Sequence, residues 1–188
     1  LITTASADVA LKGLSYLLEA VAKLRTERDI RLTIIGKPRP GKSADLIESL
    51  GLTDCIDFVS GVPDERIVEL YAEAELAVVP SLYEGFSLPA IEAMCTGICL
   101  VATDGGALPE VTGTNGETVL QCKAGDADAL AAALRRRGLQ ASGIDCFVPV
   151  DWFAQPARVE RAMDAVHGSL ALAESLGRVA VCMHLPHE

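Results

Sequence analysis

The chain of 188 residues has the size of one domain, and half of its residues are hydrophobic, so it can bury a core without disulfides or structural metal. Its formal net charge of −10 argues against a nucleic-acid-binding protein, because such binding draws on clustered Lys and Arg. No apolar run approaches the roughly 18 residues of a membrane span, so a soluble protein is expected.

Short apolar runs alternate with segments of helical periodicity as far as residue 137. Strands are predicted at 1–4, 31–36, 57–61, 75–81, 98–103 and 117–122, and helices at 10–28, 43–51, 64–74, 88–97, 107–112 and 126–137. This alternation is typical of parallel strands joined by right-handed crossovers. We therefore predict an α/β fold, a doubly wound, Rossmann-like parallel sheet with helices on both faces, whose ligand binds at the carboxyl ends of the strands.

The pattern weakens after Gly138. Residues 138–155 read as a loop, residues 154–176 as helical, and the apolar tail at 178–188 has no evident place in the sheet. The chain also begins at Leu1 rather than methionine and opens in a predicted strand, so we interpret it as a fragment of a longer protein.

The cysteines and histidines show no metal-ligand spacing. No CxxC pair occurs, and most of the cysteines lie in apolar segments, which favours reduced, buried thiols, a cytoplasmic location and no metal site. The histidines have no partner pattern for metal or base chemistry. These residues are Cys55, Cys95, Cys99, Cys122, Cys146, Cys182, His167, His184 and His187.

The segment GKPRPGKS, residues 36–43, fits the P-loop pattern and follows a predicted strand. Pro38 and Pro40 remove two of the backbone N–H groups that such a loop turns toward phosphate. The strands LAVVPS and CLVAT also lack the terminal acidic residue that organises magnesium, and the nearest candidate is Asp104 in a glycine turn. A P-loop NTPase is therefore an alternative, and a solvated loop is the simpler interpretation.

The segment EGFSLPAIEAM, residues 84–94, is a second candidate for binding phosphate. Gly85 permits a tight or left-handed backbone after the strand, and Pro89 suits the first turn of a helix. The amides of Gly85, Phe86 and Ser87 would then collect at a helix N-terminus, where anions bind readily.

Two glutamates flank this turn. Glu84 is expected on the loop and Glu92 in the first turns of the helix. A diphosphate between the amides and a lysine, with carboxylates accepting hydroxyl hydrogen bonds on either side, describes a nucleotide sugar. The simpler alternative is that Glu92 complements the helix dipole and Glu84 is a surface acid.

Six segments in order extend a motif match from Lys12 to about Leu134: LKGLSYLLEAVAKL, LTIIG, DFVSGVPDERIVELYAEAELAVVPS, EGFSLPAIEAM with its E-x7-E spacing, LVATDGGALPEV and GETVLQCKAGDADALAAAL. Together they resemble the C-terminal, donor-binding domain of retaining glycosyltransferases of the GT-B fold, the large family numbered four. The resemblance implies a nucleoside diphosphate sugar, linked to UDP, GDP or ADP, as donor substrate and no cofactor. It also implies transfer of a hexosyl group with retention, the acceptor hydroxyl attacking from the face that the phosphate leaves.

The resemblance assigns roles to individual residues. Glu92 would accept hydrogen bonds from the ribose, and Glu84 would hold hydroxyls of the hexose. Lys12 would neutralise the leaving diphosphate without a metal. The loop and turn residues around the donor would be Gly85, Phe86, Ser87, Leu88, Gly105 and Gly106, with Glu110 ordering the last turn.

The family usually carries a basic residue five or six places before this lysine, where the chain has Ala7 and Ser6, so charge neutralisation rests more heavily on Lys12.

We assign residues 1–150 to the donor-binding domain and 151–188 to a C-terminal helical segment and tail, introduced by Trp152. Acceptor recognition and any peripheral membrane association would belong to an absent N-terminal domain, so the isolated fragment is expected to be inactive. A binding-only module and a nucleotide-sugar epimerase of the same fold are alternatives.

Overall fold

The computed structural model describes residues 1–5, 9–135, 143–146, 158–160, 163–164, 166–168 and 180–183. The chain divides into two compact units, Leu1–Leu139 and Gln140–Glu188. The predicted domain boundary at residue 150 stays a prediction, because residues 147–157 lie outside the described residues. The positions of Ser6, Ala7, Trp152, His184 and His187 lie outside them as well.

The first unit alternates strands and helices as the sequence predicts. Its strands are β1 (Ile2–Thr4), β2 (Leu32–Ile35), β3 (Ile56–Val59), β4 (Ala77–Val79), β5 (Leu100–Thr103) and β6 (Leu120–Cys122). Its helices are α1 (Leu14–Arg25), α2 (Lys42–Ser49), α3 (Asp64–Glu73), α4 (Leu88–Cys95), α5 (Leu108–Thr112) and α6 (Ala127–Arg135). Each lies within or close to its predicted range.

The six strands form one parallel sheet in the order β3-β2-β1-β4-β5-β6. The doubly wound, Rossmann-like prediction is therefore confirmed. The order reverses between β1 and β4, and within the described residues these two strands pair at Ile2 and Ala77 alone. Beyond that pair, the Thr3 hydroxyl donates to the Val78 carbonyl over 2.7 Å. The sheet thus opens toward its carboxyl ends at the point where such folds bind ligands.

Side chains of successive strand residues pack into two separate cores, because they point to opposite faces of the sheet. Val78 joins the core under α1, α2 and α6, whereas Ala77 and Val79 join the core under α3, α4 and α5. All three residues are buried. Helices therefore cover both faces, which explains why β4 reads as a continuous apolar run.

The predicted first helix begins later than expected. Residues Ala10–Lys12 form a 3₁₀ turn, Gly13 adopts a left-handed conformation with φ 64°, and α1 starts at Leu14. A Cβ atom on Gly13 would lie 1.9 Å from the Pro80 carbonyl oxygen, so only glycine fits this contact. The Leu82 amide also donates to the Leu11 carbonyl over 2.8 Å, which ties the loop after β1 to the loop after β4.

The second unit contains a parallel pair of strands, β7 (Gly143–Cys146) and β8 (Ala180–Met183). The interpretation of residues 143–146 as loop is therefore wrong. The described residues of the tail, 180–183, have no place in the six-stranded sheet, as expected, but belong to a small separate sheet. Helical residues at 158–160, 163–164 and 166–168 fall inside the predicted helix at 154–176. Among the described helices, none is long and apolar enough to cross a membrane.

Candidate functional site

The loops after β1 and β4 bring Lys12 and Glu84 together at the carboxyl ends of the strands. The Lys12 Nζ atom lies 2.7 Å from Glu84 Oε1, and the two side chains are 30% and 10% exposed. Partial burial strengthens such a pair relative to an ion pair in open solvent. Glu84 is therefore not a surface acid, and Lys12 is not a solvated loop residue.

A second donor reaches the same carboxylate oxygen. The Ser81 hydroxyl lies 2.6 Å from Glu84 Oε1. Within the described part of the chain, no hydrogen bond reaches Glu84 Oε2. One oxygen of Glu84 thus has two donors from the protein, and the other has none among the described residues. The sequence interpretation missed Ser81, although a polar residue at the carboxyl end of a buried strand was available as a signal.

The glycine turn after β5 packs against the Glu84 backbone. The Glu84 amide donates to the Gly105 carbonyl over 3.3 Å, and the Ala107 amide donates to the Glu84 carbonyl over 2.8 Å. A Cβ on Gly106 would lie 2.3 Å from the Glu84 carbonyl oxygen, and one on Gly105 would lie 2.6 Å from the Leu82 carbonyl oxygen. The turn therefore supports Glu84 by close backbone contact. Glu110 lies beyond it, in the first turn of α5.

The loop before α4 differs from the expectation at one residue. Gly85 is not left-handed and has open space around its Cβ position, whereas Ser87 has φ 72° and precedes the helix. Pro89 lies in the first turn of α4, as predicted. Among the described residues, the amides of Gly85, Phe86 and Ser87 donate to no backbone carbonyl. Within that part of the chain they lack backbone partners at a helix N-terminus, which is the arrangement in which anions commonly bind.

Two features of Ser87 cost folding free energy. Its left-handed backbone is costly for a residue with a Cβ atom, and its buried hydroxyl has no hydrogen-bond partner within the described structure. We expect Ser87→Gly to raise the free energy of unfolding by about 1 kcal/mol, because glycine removes both costs while adding some unfolded-state entropy. Thermal unfolding followed by circular dichroism measures the effect. Ser87→Ala, which keeps the Cβ atom, should raise the free energy of unfolding by less. A Ser87→Gly protein that is less stable than the parent would contradict this prediction.

Glu92 lies beyond the first turn of α4, and its side chain is exposed. Because the dipole effect fades after the first turn, complementing the dipole is a weak explanation for this residue. Burial chiefly raises the pKa of the Tyr71 hydroxyl, and the nearby charge of Glu92 adds to the rise. The Tyr71 hydroxyl in turn lies 3.2 Å from Thr4 Oγ1 at the end of β1. Glu92 is thus placed near the switch point between β1 and β4. The side chains of Phe86 and Leu88, on the loop and at the start of α4, are also exposed.

The P-loop alternative is not supported by the position of its segment. Residues 36–43 follow β2, and Lys42 is exposed at the start of α2. Asp104 directly follows β5, which lies three strand spacings from β2, or about 14 Å. Its Oδ1 atom instead accepts a hydrogen bond from the Ala124 amide over 2.7 Å. Asp104 is therefore not placed to organise magnesium beside this loop.

Cys55, Cys95, Cys99 and Cys122 are free thiols, but not all of them are buried. Cys55 is buried, whereas Cys95 is exposed, which corrects the expectation for that residue. Burial raises the pKa of the Cys122 thiol to about 11, so it is protonated at neutral pH. In the described ranges no three His, Cys, Asp or Glu side chains cluster as metal ligands would.

A cavity of about 570 Å³ lies at the opposite edge of the sheet. Its lining includes Leu1, Arg31, Leu76 and Cys99, which immediately precede β1, β2, β4 and β5. It therefore does not contain Lys12, Glu84 or Glu92. The candidate site is therefore distinct from this cavity.

The described geometry defines an α/β domain of the doubly wound class, with its candidate site at the switch point. The sequence profile of the glycosyl transferases group 1 family matches residues 1–137, and the chain belongs to this family. It is 51% identical over 137 residues to an MMP alpha-(1->4)-mannosyltransferase of Mycolicibacterium hassiacum, an alignment covering 72% of this chain and 33% of that protein. The chain thus spans about a third of the length of that relative.

Solved structures show the same fold. The C-terminal domain of a glycosyl transferase group 1 family protein from Francisella tularensis superposes with a TM-score of 0.61 at 21% identity, covering 93% of this chain and 84% of that one. The Anabaena protein HepE, solved in complex with UDP, gives a TM-score of 0.63 at 21% identity, covering 95% and 48%. The sheet is therefore one half of a GT-B fold, as the sequence resemblance implied.

Proposed function

We propose that this chain is the donor-binding half of a retaining, metal-independent hexosyltransferase, and that it binds a nucleoside diphosphate sugar at the switch point. The observation that carries the proposal is the Lys12–Glu84 pair beside the unpaired amides before α4. A cation, fixed amides and a carboxylate match a diphosphate joined to a sugar. The mannosyl transfer in the name of the mycobacterial relative and the UDP in the Anabaena structure support a hexose and a nucleoside diphosphate.

The diphosphate would lie against the amides of Gly85, Phe86 and Ser87 and draw the ammonium of Lys12 toward it. Lys12 is already half-buried, so its charge acts through a low effective dielectric on the oxygen that leaves. The Oε2 atom of Glu84 would accept hydrogen bonds from hexose hydroxyls. Glu92, on the next turns of α4, would accept from the ribose.

In the proposed reaction the acceptor hydroxyl attacks the anomeric carbon on the face from which the phosphate departs. The new glycosidic C–O bond forms as the bond to the phosphate oxygen breaks, and that oxygen takes the hydroxyl proton. No side chain acts as nucleophile. Lys12 and the amides would compensate the charge that develops on the leaving diphosphate, so the proposed mechanism needs no metal ion for this. The acceptor would be held by an N-terminal domain outside these residues.

A ligand-observed magnetic resonance screen of UDP-, GDP- and ADP-sugars against the 188-residue chain tests this function. We expect at least one nucleotide sugar to bind weakly and none to be transferred, because half of the cleft is outside the chain. Binding by none of them would overturn the proposal. Robust transfer by the chain alone would contradict its assignment to one half of the cleft.

The two glutamates should affect different parts of the ligand. We expect Glu92→Ala to weaken both the free nucleotide and the nucleotide sugar by about tenfold or more, because one charge-assisted contact to the ribose is lost. Glu84→Ala should weaken the nucleotide sugar more than the free nucleotide. Calorimetric titration of both ligands into both variants measures the difference, and equal losses throughout would contradict the assigned roles.

A further inference from the structure

Ser81 is held in place from two sides at the carboxyl end of the sheet. It is 2% exposed, and its hydroxyl donates to Glu84 Oε1 over 2.6 Å. Its own carbonyl accepts a hydrogen bond from the hydroxyl of Thr103, the last residue of β5. The backbone of Ser81 is therefore fixed to the sheet, and its hydroxyl lies on a short side chain with few rotatable bonds.

The terminal torsion of a glutamate is soft, so a carboxylate needs more than one contact to fix its plane. Lys12 supplies one contact to Oε1, but its side chain has several rotatable bonds and its charge is attracted by any bound diphosphate. If Lys12 turns toward a diphosphate, the buried carboxylate of Glu84 without another donor would be poorly compensated. Ser81 donates to the same oxygen and has no such competing partner.

We propose that Ser81 is a positioning residue, whose hydroxyl holds Oε1 of Glu84 so that Oε2 remains presented to the hydroxyls of the transferred sugar. The inference rests on the donor-binding function proposed above. It predicts that Ser81 matters for the sugar portion of the ligand and not for the nucleotide portion. It also predicts that the effect of Ser81 passes through Glu84.

The test is calorimetric titration of UDP and UDP-glucose, and of GDP and GDP-mannose, into the unaltered chain and into Ser81→Ala. We expect Ser81→Ala to weaken the nucleotide sugar by about fivefold, the size of one lost hydrogen bond, and to leave the free nucleotide within about twofold. In the Glu84→Ala background, adding Ser81→Ala should have no further effect on the nucleotide sugar, because residues that act as one unit are not additive. Ser81→Thr should restore the affinity.

A matched control separates positioning from general support of the fold. Thr3 is also buried at this edge, and its hydroxyl donates to the Val78 carbonyl over 2.7 Å rather than to Glu84. Thr3→Val should lower thermal stability and leave the preference for nucleotide sugar over free nucleotide unchanged.

The outcomes distinguish the inference from the function beneath it. Equal losses for nucleotide and nucleotide sugar in Ser81→Ala, or additive losses in the double variant, would overturn the role of Ser81 and leave the donor site standing. If the unaltered chain binds no nucleotide sugar, both proposals fail together.

Discussion

Gly13→Ala is expected to lower the free energy of unfolding by about 3 kcal/mol or more, enough to unfold much of a marginally stable domain. The left-handed backbone at φ 64° alone costs an L-residue roughly 1–2 kcal/mol. The added Cβ would also lie 1.9 Å from the Pro80 carbonyl oxygen and 2.8 Å from the Pro80 carbonyl carbon. Both of these are backbone atoms, so the two loops of the candidate site would have to separate.

Gly51 offers a matched control for this prediction. Its φ of 66° is nearly the same, but nothing lies within 4 Å of its Cβ position. Gly51→Ala should therefore lower the free energy of unfolding by only about 1 kcal/mol. The difference in unfolding free energy between the two variants measures the cost of the contact with Pro80. Chemical unfolding of both variants gives that difference, and equal losses would show that the close approach does not matter.

The strands and the sheet class could be predicted because each buried strand is a short apolar run bounded by turn residues. β4 illustrates this, since it is buried on both faces and its three residues are apolar. The strand Gly143–Cys146 was missed because its partner, Ala180–Met183, is distant in sequence, and no local pattern reveals such a pairing.

The site residues were identified by their resemblance to a family, but their contacts were not. Lys12 and Glu84 are far apart in the sequence, and the contacts between their two loops, at Gly13 and between Leu11 and Leu82, bring the side chains to 2.7 Å. Gly85 was expected to permit a tight or left-handed backbone, and the left-handed residue of this turn is another one. It is Ser87, because the packing of the turn decides which residue takes the strain and intrinsic preference does not.

The strongest test of the candidate site compares two lysines on different loops. Lys12 lies in the loop after β1, paired with Glu84, whereas Lys42 is exposed after β2 and follows two prolines. A working P-loop would require Lys42 to reach the phosphates, so Lys42→Ala would abolish nucleotide binding and Lys12→Ala would do little. We expect the reverse.

Lys12→Ala should weaken nucleoside diphosphate binding by about 2 kcal/mol, or roughly 30-fold, because a half-buried charge-assisted contact is lost. The loss also leaves Glu84 held by Ser81 alone, so an uncompensated carboxylate would face the diphosphate and repel it. Lys42→Ala should change the affinity by less than about twofold and leave folding intact, since an exposed surface charge contributes little. Titration of UDP, GDP and ADP into both variants by calorimetry, with circular dichroism to verify folding, gives the answer. Binding that is lost in Lys42→Ala and kept in Lys12→Ala would move the phosphate site to the loop at residues 36–43.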